Sequence, residues 1–162
     1  MHIEPASEHH FREILELNQE SVHFLSALSA QGLADLHSQA AYHKVAIEQA
    51  RVAGFLIALQ AGAAYASVNY QWFDARFRNF LYIDRVVIAS QFQGRGIGRL
   101  LYDDLFMFAK AKRFEQVTCE FDVEPPNPVS AKFHEAFGFR ELGSHWAGDG
   151  KKKVSLQAAQ LK

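Results

Sequence analysis

A chain of 162 residues, 49% of them apolar, has the length of one globular domain with a real core, so a single domain over residues 1–162 is expected. Its 17 basic and 18 acidic side chains are interspersed, for a net charge of −1, which supplies no broad field for a nucleic-acid backbone or an anionic membrane surface. Cys119 is the lone cysteine, no apolar run approaches the roughly 20 residues of a membrane span, and MHIEPASEHHFREI lacks the features of a signal peptide, so a reducing cytoplasm is the expected location.

After a short first strand, Ser7 is placed to cap a helix with the apolar stripe Phe11, Ile14 and Leu15. Leu25 to Gln39 is a second helical region, less cleanly patterned. Tyr42 to Glu48 and Ala53 to Leu59 read as strands joined by a tight turn near Gln49 to Arg51. Val68 to Phe80 then packs Tyr70, Trp72, Phe73 and Phe77 into a short irregular stretch. Two readings of it stand: a loop over a ligand pocket, or a satellite core or dimer contact. Phe80 to Ile88 is a strand. Gly96 to Lys112 is a helix, because Ile97, Leu101, Leu105 and Phe108 recur on one face. Gln116 to Asp122 is a strand, and Asn127 to Phe137 a helix with Val129, Phe133 and Phe137 in line and Gly138 as its C-terminal cap. The tail forms two strands around an Asp149-Gly150 turn. Two helices crossing between strands argue for an α/β (α+β) chain whose mixed sheet is covered on both faces.

The chemically informative stretch is QGRGIG, Gln93 to Gly98, between the apolar strand and the most regular helix. Glycines bring main-chain N–H groups close to a ligand, and the helix start adds unpaired donors with partial positive charge, which together suit a phosphate or pyrophosphate. The competing reading is an ordinary strand-to-helix turn. A Walker loop is excluded because Gly98 is followed by Arg99 and Leu100, and a dinucleotide fingerprint because its last glycine would fall on Arg99.

The run resembles the Gln/Arg-x-x-Gly-x-Gly/Ala pattern of the GCN5-related N-acetyltransferase superfamily at Gln93, Gly96 and Gly98. Upstream, YIDRVVI resembles that family's fourth strand. Downstream, NPVSAKFHEAFGFRELG resembles its N-x-x-[AS]-x-x-[FLY]-[YH]-x-x-x-G-F segment through Asn127, Ser130, Phe133, Gly138 and Phe139. The resemblance implies a mostly antiparallel sheet of about 6–7 strands flanked by about four helices. It also implies acetyl-CoA as co-substrate, without a metal. The diphosphate would rest on the amides of Gln93, Gly94, Arg95, Gly96, Ile97, Gly98 and Arg99. The pantetheine arm would run along Val86, Val87 and Ile88 in the gap where the fourth and fifth strands splay, with Asn127, Ser130 and Phe133 alongside.

Such chemistry requires a base for an incoming ammonium and an acid for the departing thiolate. Asp84 stands where many members of the family carry a glutamate base, and strand parity places it with Val86 and Ile88; a structural ion pair is the alternative. Glu120 is a second candidate, on the opposite face of its strand from Val117, Cys119 and Phe121, with Asp122 beside it in parity; a structural hydrogen bond is the alternative for Glu120 and a solvated strand edge for Asp122. The family's frequent general acid, a tyrosine, is replaced by His134, either as an imidazolium donor or as a packing residue. Tyr82 shares the parity of Asp84 and is a further candidate acid, or a core or rim aromatic. Cys119 lies mid-strand in an apolar parity class and reads as a small buried hydrophobe, so transfer would be direct. The histidines show no metal-ligand spacing, and His9 and His10 would diverge around a helix. Lys151 to Lys153 read as a solvated hairpin or as neighbours of a CoA 3′-phosphate.

The acceptor is expected to be a small-molecule or peptide amine; the resemblance implies that the first two helices form a wall of its pocket, where His23, Asp35 and His37 meet either substrate or water. A homodimer is compatible with the aromatic segment. The leading reading is an N-acyltransferase; the rivals are a non-catalytic acyl-CoA-binding module and a dimerising scaffold.

Overall fold

The computed structural model describes residues 1–22, 25–148 and 150–161. Strands β1 (His2–Pro5), β2 (Tyr42–Glu48), β3 (Arg51–Gln60) and β4 (Leu81–Ile88) run antiparallel in succession. Beside β4 lies β5 (Gln116–Glu124) in parallel, followed by β7 (Lys152–Gln160) and then β6 (Arg140–Ala147), both antiparallel, giving the order β1-β2-β3-β4-β5-β7-β6. Five helices accompany them: α1 (Phe11–Glu20), α2 (Ala30–Gln39), α3 (Val68–Asp74), α4 (Ile97–Ala111) and α5 (Pro128–Ala136). This is the mostly antiparallel α/β sheet expected from the sequence, with one helix more.

Adjacent residues of β2 show which helices cover which face. The Tyr42 hydroxyl donates to Asp104 of α4 at 2.8 Å, while His43 meets His37 of α2 at 2.8 Å between their Nδ1 atoms. Thus α4 and α5 cover one face, and α1, α2 and α3 the other. Central β3 is buried continuously from Val52 to Leu59, as a strand covered on both sides must be. In α4 the buried positions Ile97, Leu101 and Leu105 follow the predicted stripe. The β2–β3 turn is the two residues Gln49 and Ala50, both at positive φ, the geometry that matches hairpin twist.

Three expectations need correction. The second helix begins only at Ala30, because the Ser29 side chain accepts the Gly32 N–H at 3.0 Å and so caps it there. The aromatic segment is no irregular loop: Ser67 caps α3, and Tyr70 and Phe73, spaced three apart, are fully buried against Phe80 and Tyr82. Its buried rings belong to the main core, while Asn69 of the same helix lines the cavity described below. Finally, Val129 is 79% exposed, because α5 packs through Phe133, His134 and Phe137 rather than along its whole length. The β6–β7 connection contains the expected Gly150, at positive φ; Asp149 lies outside the described residues.

One irregularity positions the site. In the β3–β4 register Ile57 faces Arg85 and Ala58 faces Ile83, so Asp84 is an extra residue, a β-bulge. On the other side β4 pairs with β5 only at Leu81↔Val117 and Tyr82↔Thr118. Beyond these pairs the two strands diverge, and the β4 edge that faces β5 is without a strand partner.

Candidate active site

The divergence opens a cavity of about 810 Å³, lined from the α3 side by Tyr65 and Asn69 and from the α4–α5 side by Tyr102 and His134. Of the expected site residues, Asp84, Glu120, His134, Val86, Asn127 and Ser130 line it. Val87, Ile88, Phe133 and the loop from Gln93 to Arg99 lie outside that lining. The Val87 side chain is buried in the core and its main chain is paired with Phe55 of β3, so the main-chain groups of β4 that face the gap are those of Val86 and Ile88.

Glu120 is a titratable group poorly matched by its surroundings. Its Oε1 accepts from the Tyr82 hydroxyl at 2.9 Å and from Asn69 Nδ2 at 3.2 Å. Its Oε2 is buried with no partner among the described residues. Burial pushes the carboxyl up to about 8; the Tyr82 and Asn69 bonds work against this, and the charges of Asp84 and Asp122 add to it. A carboxyl poised there gives up and takes protons near neutral pH. Its face is the one strand parity predicts, since Tyr82 and Thr118 are a cross-strand pair.

Asp84 is placed differently. Its Oδ1 accepts from the Tyr65 hydroxyl at 2.6 Å and its Oδ2 from Arg85 Nε at 2.7 Å, with both members of the ion pair buried. Strand alternation would send Asp84 and Arg85 to opposite faces; the bulge brings these neighbours together, so the predicted sharing of a face with Val86 does not hold. Arg85 Nη1 also donates to Asn18 Oδ1 and Ser26 O, and Nη2 to Ser26 Oγ. The guanidinium therefore ties the end of α1 and the following segment to the cavity wall.

On the other face, His134 Nδ1 lies 2.8 Å from the Ser130 carbonyl and so carries the ring hydrogen, while Nε2 accepts from the Tyr102 hydroxyl at 2.8 Å. Burial lowers its pKa, with the Ser130 carbonyl acting in the opposite sense. The imidazole is thus neutral near pH 7 and serves as an acceptor for Tyr102. Cys119 is buried and its thiol is pushed well above its ordinary value by burial and by Glu120, which suits the packing role read from sequence.

The glycine loop has the geometry of an anion cradle. Gly94 and Gly96 have φ of +78° and +79°, and a Cβ at either would meet no atom within 4 Å. Among the described residues, the N–H groups of Gly94 to Arg99 reach no acceptor, and Leu100 is the first to close a turn, onto Gly96 O at 3.0 Å. Six open donors at the start of a 15-residue helix match a diphosphate. Arg95 and Arg99 stack over Phe92 and Phe137 at the same end. Asn127 caps α5 by accepting the Ser130 N–H at 3.2 Å, and Phe133 packs on Tyr102.

Five lining or supporting residues escaped the sequence reading: Tyr65, Asn69, Arg85, Tyr102 and His145. Tyr102 sits in the apolar stripe of α4 and reads as core, and Asn69 sits in the segment read as irregular. His23 lies outside the described residues. Glu4, His9 and His10 bring potential ligand atoms within 4.8 Å of one another. His9 and His10 do not diverge, because they occupy a 3-10 turn, Glu8–His10, with ring centroids 3.9 Å apart. Yet the Ser7 N–H donates to His10 Nδ1 at 3.0 Å, so the ring hydrogen is on Nε2, which donates to Glu4 at 3.0 Å. In this arrangement the trio acts as a capping and ion-pair cluster.

The open donors that follow β4 and the cavity where β4 parts from β5 suit a transferase that uses an acyl-CoA. The sequence pattern of the Acetyltransferase (GNAT) family matches residues 9–139, and the chain belongs to that family. A phosphinothricin N-acetyltransferase of Streptomyces coelicolor is 38% identical over 60 residues, 37% of this chain and 34% of that protein, so the match spans about a third of the relative's length. Ard1 from Thermoplasma volcanium superposes with a TM-score of 0.80 at 14% identity, over 99% of this chain and 97% of that one. The ribosomal-protein-S18-alanine N-acetyltransferase from Escherichia coli does so with a TM-score of 0.75 at 13% identity, over 99% and 94%. These two likenesses are of fold.

Proposed function

We propose that the chain transfers an acetyl group from acetyl-CoA to the primary amine of a small molecule or peptide, directly within a ternary complex. The observation that carries this reading is the unpartnered Oε2 of Glu120 in the gap between β4 and β5. The co-substrate would supply an activated acyl thioester. Its diphosphate would be held by the amides of Gly94 to Arg99, and its arm by the main chain of Val86 and Ile88 on the β4 edge that β5 leaves, where the Ile88 carbonyl also accepts from Gln93 Nε2 at 3.3 Å, as an added strand is held.

Glu120 takes the proton of the incoming ammonium. With a pKa of about 8 it is a matched base for an amine near neutral pH, whereas Asp84, neutralised by Arg85, holds the wall. Main-chain N–H groups on the free β4 edge are available to the developing charge on the carbonyl oxygen. The Tyr102 hydroxyl already gives its hydrogen to His134 Nε2, so the departing sulfur, a thiol of reference pKa about 8.5, takes the second proton released by the nitrogen as the tetrahedral intermediate collapses. A small-molecule acceptor draws support from the relative that acts on phosphinothricin.

The test is release of free thiol from acetyl-CoA across a panel of amines and peptides, with Glu120→Gln beside the wild type. Amine-dependent release that Glu120→Gln abolishes is the expected result. Binding of CoA without release for any acceptor would instead mark an acyl-CoA-binding module, and no binding at all would remove the reading.

A further inference from the structure

His145, on β6, donates from Nε2 to Asn69 Oδ1 at 2.8 Å, and Asn69 in turn donates from Nδ2 to Glu120 Oε1 at 3.2 Å. An asparagine amide is nearly symmetric in shape but opposite in polarity at its two ends, so something must decide which end faces the carboxyl. We infer that His145 is a positioning residue for Glu120: by engaging the Asn69 oxygen, it fixes the amide with its N–H toward the carboxylate. This rests on the reading of Glu120 as the base.

The geometry supports the direction of the chain. His145 faces Val154, and Val154 faces Asp122, two residues from Glu120, so His145, Asp122 and Glu120 share the sheet face that α3 covers. The groups facing the carboxyl there are Tyr82 and Asn69, with Asp84 and Asp122 as nearby charges. Without His145 the amide is free to turn its oxygen toward Glu120, which exchanges an attraction for a repulsion. The carboxylate form of Glu120 then loses a stabilising bond, and its titration moves to higher pH. Asn69 does not relay a proton, since an amide has none to give at neutral pH; its part is orientation alone.

The experiment is a carboxyl 13C NMR titration of the full chain labelled at glutamate, with the Glu120 signal assigned by its loss in Glu120→Gln. The wild-type midpoint is expected near 8. In His145→Ala and Asn69→Ala it should lie about one pH unit higher, the worth of one hydrogen bond to a charged group. His145→Gln retains an N–H donor and should restore the wild-type midpoint. A midpoint unmoved in His145→Ala overturns the inference, whatever that substitution does to stability. The pH profile of thiol release is read in parallel. If the NMR midpoint moves and the activity profile does not, the positioning chain stands and the assignment of Glu120 as base fails.

Discussion

The Tyr82 hydroxyl donates to Glu120 Oε1 at 2.9 Å, joining the last residue of β4 that pairs with β5 to a β5 residue just beyond the point of divergence. This bond closes the vertex of the gap, and Tyr82 is itself fully buried. Tyr82→Phe keeps the ring packed on Tyr70 and Phe73 and removes only the donor. The Glu120 pKa should rise further, so the pH profile of thiol release should move to the alkaline side. Stability should fall by about 1–2 kcal/mol, measured by urea unfolding at pH 7. A Tyr82→Phe profile that coincides with the wild type would separate Glu120 from the rate.

The same carboxyl makes stability depend on pH in a definite sense. Its folded pKa of about 8 lies above its unfolded value of about 4.3. The folded chain therefore binds the Glu120 proton more tightly than the unfolded chain does. That contribution is fully present below about pH 4 and is lost as the pH rises through 8. Glu120→Gln removes the loss, so the variant should melt a few degrees higher than the wild type at pH 9, and the two should converge toward pH 4. Gaining stability while losing turnover is the signature of a group kept for chemistry. Thermal melts at pH 5, 7 and 9 decide it, and a Glu120→Gln variant less stable at pH 9 would contradict the buried, half-partnered carboxyl.

Much of this was legible in the sequence where the periodicity was strong. The stripe Ile97, Leu101, Leu105 and the opposition of Phe121, stacked on His134, to Glu120, bonded to Tyr82, follow the faces that periodicity predicts. The glycine loop was legible because positive φ and open amides follow from residue type. What period 2 does not encode is the bulge at Asp84, which turns two neighbours into an ion pair and hands the open carboxyl to β5. Nor does it encode partners from distant segments: Asn69 is 51 positions from Glu120 and His145 is 76 from Asn69. Their side chains have no local pattern; only the closing of the sheet brings them together.

Arg85 offers a test of the wall rather than of the base. Both it and Asp84 are buried, at 4% side-chain exposure each, and Arg85 also holds Asn18 and Ser26. Arg85→Met leaves Asp84 buried beside Tyr65 without its cation and should cost about 3–5 kcal/mol. Adding Asp84→Asn removes the stranded charge, and the double variant should be more stable than Arg85→Met alone. A double-mutant cycle in urea measures the coupling. Additive losses would mean that the ion pair is incidental. With the Asn18 and Ser26 anchors gone, the segment after α1 loosens in both variants, so KM for the amine should rise more than KM for acetyl-CoA.

Gly96 separates backbone strain from charge at the cradle. It has φ of +79°, and a Cβ there would meet nothing within 4 Å, so Gly96→Ala pays only the left-handed penalty, about 1–2 kcal/mol. Gly96→Glu carries the same strain and adds a carboxylate beside amides that otherwise face an anion. Both variants should therefore unfold at similar urea concentrations. CoA affinity, by calorimetry, should fall modestly in Gly96→Ala and by at least about tenfold in Gly96→Glu, a difference of about 1.4 kcal/mol. The contrast should shrink as salt rises, because screening weakens the repulsion between the added carboxylate and the diphosphate. Equal CoA affinities in the two variants at low salt would show that the loop contributes shape to the fold and no field to a ligand.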